Sequence, residues 1–307
     1  MLSRPEYQPL VSPGTILMTR KTCLITGTAS GMGQLTAMAA AHAGMRLICV
    51  DFDVPNGIKA RDEIVTSTGN NDVEFIECDV SSFAEVRRLA DRVNRDYERL
   101  DILVNNAGIT ESIRRESADG FEMTMATNFL GPFLLTNLLL DKLRTSSPAR
   151  VINIASEAHK SAKGLDWGDI DNRRKWGKVN HSCGFQAYAR SKLCLVAFSR
   201  DLAEMLDGTG VSVYAVSPGY FIRTNIYRHM RGIWGLGLKL VRPFIQSAES
   251  GARTHIYLTT DADIDDQTGL YWENCKPKEA SKFTADAELR RKIWAYAVEV
   301  TELAKAG

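Results

Sequence analysis

The chain has 307 residues, of which 44% are hydrophobic and 24% charged, a balance that supports a large buried core and belongs to a globular protein, not a disordered or fibrous one. Its 38 Lys and Arg against 37 Asp and Glu leave a formal net charge of +1, so no global field recruits nucleic acid or acidic lipid, which argues against a DNA-binding role. Six cysteines, at 23, 49, 78, 183, 194 and 275, include no Cys-x-x-Cys pair; several sit in apolar runs, and they read as core residues of a reducing compartment with no disulfide and no metal site.

Residues 1–19 lack the cationic start and sustained apolar segment of a signal peptide, and their prolines and glycine predict a flexible arm. Residues 20–307 then read as a single domain. The apolar run "TCLIT" (22–26) predicts the first strand, and "TGTASGMG" (26–33) turns from it into a helix over 31–43. Gly27 lets the chain leave the strand sharply. Gly31 and Gly33 keep side chains out of the way of a phosphate, and the N–H groups near Ser30, Met32 and Gly33 open towards it with the positive end of the helix dipole. In strand–turn–helix context this pattern predicts a dinucleotide site.

The second strand, "RLICV" (46–50), ends at Asp51, which lies 24 positions after Gly27. A carboxylate there accepts the ribose hydroxyls of adenosine and repels a 2′-phosphate. No Lys or Arg occupies 28–30 or 52, so NAD is favoured over NADP. Asp51 could instead cap the next helix (56–68), and Asp53 could share either role. The third strand, "VEFIE" (73–77), leads to "CDV", where Asp79 and Val80 are placed to meet the adenine; capping of the helix at 82–97 is the alternative for Asp79.

The fourth strand, "ILVNN" (102–106), closes in "NNAG", where Ala107 and Gly108 let a cofactor lie against the backbone and Asn106 can bond to it. A long helix is predicted over 119–143. Its stretch "FLGPFLLTNLLL" (129–140) is too short to span a bilayer and contains Pro132 and Asn137, so a buried helix is expected, with no membrane span and a cytoplasmic location. The fifth strand, "RVINIAS" (150–156), ends at Ser156. A helix over 184–207 carries Tyr188 and Lys192, four positions apart and therefore on one face. The sixth strand, "VSVYAVS" (211–217), ends in "SPG", with Pro218, Gly219 and then Thr224 within reach of a carboxamide. A short strand at "GLYWE" (269–273) and a helix over 285–304 complete the series.

Strands alternating with helices at this spacing predict an α/β fold, a doubly wound parallel sheet of about seven strands with helices on both faces and ligands beyond the carboxyl ends of the strands. Ser156, Tyr188 and Lys192 converge on that edge. Transfer of a hydride between an alcohol and a carbonyl needs one group to move the hydroxyl proton and another to hold the oxygen. An ammonium beside a tyrosine favours the phenolate, and a serine hydroxyl can donate to the substrate oxygen.

In this order over residues 22–225, "TGTASGMG", "NNAG", Ser156, "YARSK" and "SPG" resemble the short-chain dehydrogenase/reductase family. The resemblance implies a Rossmann-type domain, NAD(P)-dependent oxidation or reduction, and a fourth site residue, Asn128, completing a relay through water to Lys192; a polar contact within the helix is the other reading of Asn128. Ser156 stands 32 positions before Tyr188, further than is common in the family, and Ser161 and Ser182 are rivals that end no strand. The long insert (157–184), the "AH" after Ser156 and "GLYWENCKPKEAS" resemble the branch of retinol dehydrogenases.

Residues 220–247 are expected to cover the substrate, and their apolar content, with Trp167 and Trp176 in the insert, suggests a bulky hydrophobic alcohol or ketone as the small-molecule partner; an amphipathic helix packed on the sheet or a partner subunit is the alternative. His159, His181 and His229 read as surface or packing residues. The apolar stripe of "LCLVAFSRDLAEML" (193–206) suggests a homodimer or homotetramer. Two other activities remain: a nucleotide-sugar epimerase or dehydratase, which also uses Tyr-x-x-x-Lys, and a non-catalytic dinucleotide-binding sensor.

Overall fold

Leu24 faces one side of the first strand and Cys23 and Ile25 the other, yet all three are buried, because helices cover both faces of the sheet. That double burial is why the strands read as continuous apolar runs without alternation. The computed structural model describes residues 20–162, 164–172, 176, 181–219, 247–261, 264 and 267–303, with side chains in the helix at 181 described from Cys183 onward.

Among the described residues β1 (Thr22–Thr26), α1 (Gly31–His42), β2 (Arg46–Asp51), α2 (Val54–Thr68), β3 (Val73–Glu77), α3 (Phe83–Asp96) and β4 (Ile102–Asn105) follow one another. A helical segment then runs as α4 (Met123–Met125), a π-helical stretch (Ala126–Leu130) and α5 (Gly131–Leu138), with α6 (Leu140–Thr145) after it. The second half comprises β5 (Ala149–Ile154), a 3₁₀ turn (Glu157–Ser161), α7 (His181–Met205), β6 (Val211–Val216), α8 (Ala248–Thr260), β7 (Tyr271–Glu273), β8 (Lys276–Lys278) and α9 (Ala287–Val300).

The strands form one sheet in the order β3-β2-β1-β4-β5-β6-β7-β8, parallel throughout except for the antiparallel β7–β8 pair. From β1 the chain winds outward to β2 and β3 and then returns to β4 on the other side. The carboxyl ends of β1 and β4 therefore border the switch point at which such sheets bind ligands. α1, α2 and α8 contribute Ala37, Ile64 and Leu258 to the core on one face; α3, α5, α7 and α9 contribute Val86, Phe133, Phe198 and Ile293 on the other.

Three elements differ from the sequence expectation. The sheet has eight strands, not about seven: β8 is exposed Lys-Pro-Lys at an edge, joined to β7 by Asn274 and Cys275, both at positive φ (53° and 58°) as a two-residue hairpin turn requires. α8 was not foreseen. It is rich in β-branched residues and contains Gly251, so it owes its helix to packing against α1 and the sheet more than to propensity. The helical segment begins at Met123, not 119, because Glu122 caps it by accepting from Thr124 N and Met125 N.

The stripe of α7 is covered within the chain. Phe198 packs on Phe133 and on Trp294 of α9, with ring centroids 5.1 and 5.6 Å away. The arm (1–19), Thr224 and nearly all of the 220–247 segment lie outside the described residues; Ser247 caps α8. Among the described residues no helix is long and apolar enough to cross a membrane, and no cluster of ligands could hold a metal ion.

Candidate active site

The glycine turn is shaped by close approaches. Gly27 and Gly31 have φ of 76° and 64°, and a methyl group on Gly33 would lie 2.1 Å from the Gly27 carbonyl oxygen, so position 33 tolerates no side chain. Asn106 braces this turn: its Nδ2 donates to the carbonyls of Thr26 (2.8 Å) and Gly27 (3.1 Å), and Thr26 Oγ1 accepts from Asn106 N and Ala107 N. Its amide nitrogen is thus engaged by the protein itself. The first turn of α1 borders the cleft, with Ser30, Gly31, Met32 and Gly33 in its lining, the place where a helix N-terminus can meet a phosphate.

A cleft of ≈ 710 Å³ runs along the carboxyl edge of the sheet. Into it come Gly27, Ser30, Gly31, Met32 and Gly33 from the turn, Asp51 from β2, Asp79 and Val80 after β3, and Asn106, Ala107 and Gly108 after β4. Ser156, Tyr188, Lys192, Pro218 and Gly219 line the same cleft. Of the residues expected from the sequence, Asn128 lies just behind it and Thr224 is not described. Ile109, Arg115, Met123 and Thr127 also line it and were not foreseen, for they sit in a loop and at a helix start with no motif. Arg115 pairs there with the buried carboxylate of Glu111.

The geometry separates the two candidate roles of the acidic pair after β2. Asp53 caps α2, accepting from Asn56 N (3.3 Å) and Asn56 Nδ2 (2.8 Å). Asp51 faces the cleft and accepts from Ala29 N (2.9 Å) and Asp53 N (3.0 Å). Burial raises its pKa above the usual value, while those N–H groups pull it back. Asp79 accepts from Ser81 N (2.9 Å) and does not cap α3, whose Phe83 N donates to Asp119.

At the other end, Ser156 is extended (φ −169°, ψ 151°) and its Oγ accepts from Ala158 N at 3.2 Å. Ser161 closes the 3₁₀ turn away from the cleft lining, and the side chain of Ser182 is not described. Lys192 Nζ lies 5.9 Å from the centre of the Tyr188 ring and donates to the Ile154 carbonyl at 2.6 Å. Burial lowers the Lys192 pKa to about 7. Asn128 sits in the π-helical stretch, a distortion often found at functional sites. Its Oδ1 accepts from Ile109 N, and its Nδ2 donates to Ile109 O and to Ser191 Oγ, all within 3.0 Å. Gly108 lies between the two: a methyl there would be 3.3 Å from Asn128 Oδ1 and 3.5 Å from Lys192 Nζ.

Neither tryptophan of the insert lines the cleft. Trp176 is buried with its Nε1 donating to Ser112 O (3.4 Å), and Trp167 packs edge-on against Tyr296 of α9. His159, expected at the surface or in packing, is fully buried beside Ser156.

A family model described as "short chain dehydrogenase" matches residues 21–165. Retinol dehydrogenase 12 of Homo sapiens is 35% identical over 280 residues, covering 91% of this chain and 86% of the relative, and retinol dehydrogenase 13 of Homo sapiens is 34% identical with 95% and 87% covered. Among solved structures, the Pseudomonas aeruginosa RhlG/NADP active-site complex is similar with a TM-score of 0.63 and 31% identity, covering 82% of this chain and 93% of the other. An uncharacterized protein of Mycobacterium paratuberculosis is similar with a TM-score of 0.72 and 28% identity, covering 92% and 93%.

Proposed function

Because the chain belongs to the short-chain dehydrogenase family, and so is an NAD(P)-dependent oxidoreductase, we propose that it interconverts a bulky hydrophobic alcohol and its aldehyde or ketone, with Tyr188 moving the hydroxyl proton. The observation that carries the reading is the convergence of Ser156, Tyr188 and Lys192 on the same cleft that the glycine turn lines. When bound, the dinucleotide supplies or accepts the hydride at its nicotinamide. All else is done by side chains. Tyr188 takes or returns the alcohol proton, Ser156 donates a hydrogen bond to the oxygen as charge grows on it, and Asn128 holds the loop that carries Gly108 and Ile109.

A phenol has an unperturbed pKa of about 10. The Lys192 ammonium, 5.9 Å from the centre of the Tyr188 ring, favours the phenolate. That help exists only while Lys192 carries its proton, and ligand oxygens accepting from Nζ would favour the charged form.

NAD is the preferred dinucleotide in this reading. Asp51 and Asp53 stand at the ribose corner with Phe52 and Asn56, and no cation of the cleft lining lies at positions 27–33 or 50–56 among the described residues. The retinol dehydrogenases among its relatives support a retinoid or similarly bulky substrate.

The test is turnover of all-trans-retinol and other hydrophobic alcohols by the wild type and Tyr188→Phe, with NAD and NADP compared. Loss of the hydroxyl is expected to cut kcat by about 10²-fold or more while NADH binding, followed by fluorescence, is kept. Near-normal turnover by Tyr188→Phe would overturn the assignment, and a preference for NADP would overturn the reading of Asp51.

A further inference from the structure

We propose that His159 is a positioning residue that fixes Ser156 for the reaction, and that it does so only as the neutral imidazole protonated at Nδ1. The inference rests on the reading of Ser156 as the hydroxyl that holds the substrate oxygen.

Ser156 stands where β5 gives way to the 3₁₀ turn, and the turn sets its position. The carbonyl of Ser156 accepts from His159 N (3.1 Å) and lies 2.7 Å from His159 Nδ1, while its Oγ meets Ala158 N. His159 is anchored in turn from the far side. Ser281 N is 2.9 Å from His159 Nε2, and the ring packs against Tyr271 of β7, tilted by 57° with centroids 4.7 Å apart. Tyr271 also donates its hydroxyl to Glu157 at 2.8 Å, and the other oxygen of Glu157 is 3.2 Å from both Lys160 Nζ and Lys278 Nζ. The hairpin β7–β8 and the segment beyond it thus grip the turn that holds the serine.

The partners dictate the tautomer. A carbonyl oxygen can only accept, so Nδ1 must carry a hydrogen; a backbone N–H can only donate, so Nε2 must be bare. A second proton would set N–H against N–H at Ser281 and break the anchor. The groups facing the ring agree. Burial holds its pKa below the usual value; the Ser156 carbonyl and Glu157 pull it upward, and Lys160 and Lys278 lower it further. α7, packed on the same turn, presents apolar Ala189 and Leu193 to Ala158 and Ala162, and the uncharged amide of Gln186, whose Nε2 donates to Ser161 O (3.4 Å).

Two substitutions distinguish positioning from bulk stability. His159→Asn keeps a donor for the Ser156 carbonyl and loses the bond to Ser281; His159→Phe keeps a ring and loses both bonds. Measured with NAD and a hydrophobic alcohol, His159→Phe is expected to lose about 10-fold or more in kcat with KM for NAD unchanged, and His159→Asn to recover most of it at a similar Tm. Equal kcat in the two variants, whether normal or reduced, would overturn the proposal. Should His159→Phe fail to fold, the wild type decides: ¹⁵N shifts of the ring should report the Nδ1–H tautomer, and kcat should fall as that signal titrates in acid. Protonation of the ring without loss of kcat would refute it. Ser156→Ala is the control. Full activity in that variant would mean that the reading of Ser156 has failed, whereas a slow Ser156→Ala beside a normal His159→Phe would mean that only the present inference has.

Discussion

His255 offers the sharpest test of the electrostatics beneath the sheet. It lies in α8, fully buried, and among the described residues neither ring nitrogen has a hydrogen-bond partner. Burial, and after it the Lys192 ammonium, lowers its pKa from 6.5 to about 3. The unfolded chain therefore binds a proton near 6.5 that the folded chain refuses until about 3, so stability falls as pH falls through 6.5 and levels out only below 3. At pH 5 the unfolded state gains RT ln(1 + 10^1.5), about 2 kcal/mol, against almost nothing at pH 7.5. Other groups titrate in the same window, so the quantity to measure is a difference. Urea unfolding of the wild type and His255→Leu should show the variant near equal or somewhat more stable at pH 7.5, since two unpaired polar atoms leave the core. At pH 5 its advantage should grow by about 2 kcal/mol. An advantage that stays constant between the two pH values would refute the argument.

Lys192, whose pKa burial lowers to about 7, should gain a proton when NAD brings oxygen acceptors to Nζ. Calorimetry at pH 8 in buffers of different ionisation enthalpy is then expected to show uptake approaching about one proton per site, abolished in Lys192→Met, with affinity falling as pH rises above 7; equal enthalpies in all buffers would contradict this. Asp51→Ser should raise the ratio of kcat/KM for NADP over NAD by about 10-fold or more, and an unmoved ratio would show that Asp51 does not read the ribose. Gly33→Ala places a methyl 2.1 Å from the Gly27 oxygen, whereas Gly31→Ala meets nothing within 4 Å and has only its φ of 64° to oppose it. The former should lower Tm and NAD affinity severely, and the latter should cost only about 1 kcal/mol in stability; the reverse order in thermal melts would show the turn to be built otherwise.

Much of the fold is legible because strands buried on both faces carry a dense apolar signal. "TCLIT" and "VEFIE" have the boundaries that the runs suggest. Where tertiary context decides, the signal fails. β8 is Lys-Pro-Lys, an edge strand that exists because Asn274 and Cys275 accept positive φ. α8 carries three threonines, an isoleucine and a glycine, and its helix reflects what Gly251, Ala252 and Leu258 bury. The cleft lining is legible where a residue closes or follows a strand, as Gly27, Asp51, Asp79, Asn106, Ser156 and Pro218 do, and, for Tyr188 and Lys192 within α7, in their spacing of four. Asp51 and Asp53 differ by only two positions, and only the hydrogen bonds show which one caps α2. His159 is the second residue of the "AH" after Ser156, but that pair by itself says nothing of what the ring meets; its partners, Tyr271 and Ser281, come from the far end of the chain.

The wide separation of Ser156 and Tyr188 is the feature of the sequence that weighs most against pairing them, and the fold shows why it has little force. Ser156 is set by the end of β5 and Tyr188 by α7, two elements that pack against each other whatever joins them. Extending a connection from about a dozen to about thirty residues adds only about 0.8 kcal/mol of closure entropy. The insert offsets that cost by burying Trp176 and by forming the 3₁₀ turn that accepts the Tyr271 hydroxyl at Glu157. The added residues also give His159 its setting, since without a turn running 157–161 nothing would carry an imidazole back to the Ser156 carbonyl. Distance along the chain and distance across the cleft are therefore independent here. The packing of α7 on β5 fixes the second, and the insert is free to vary the first.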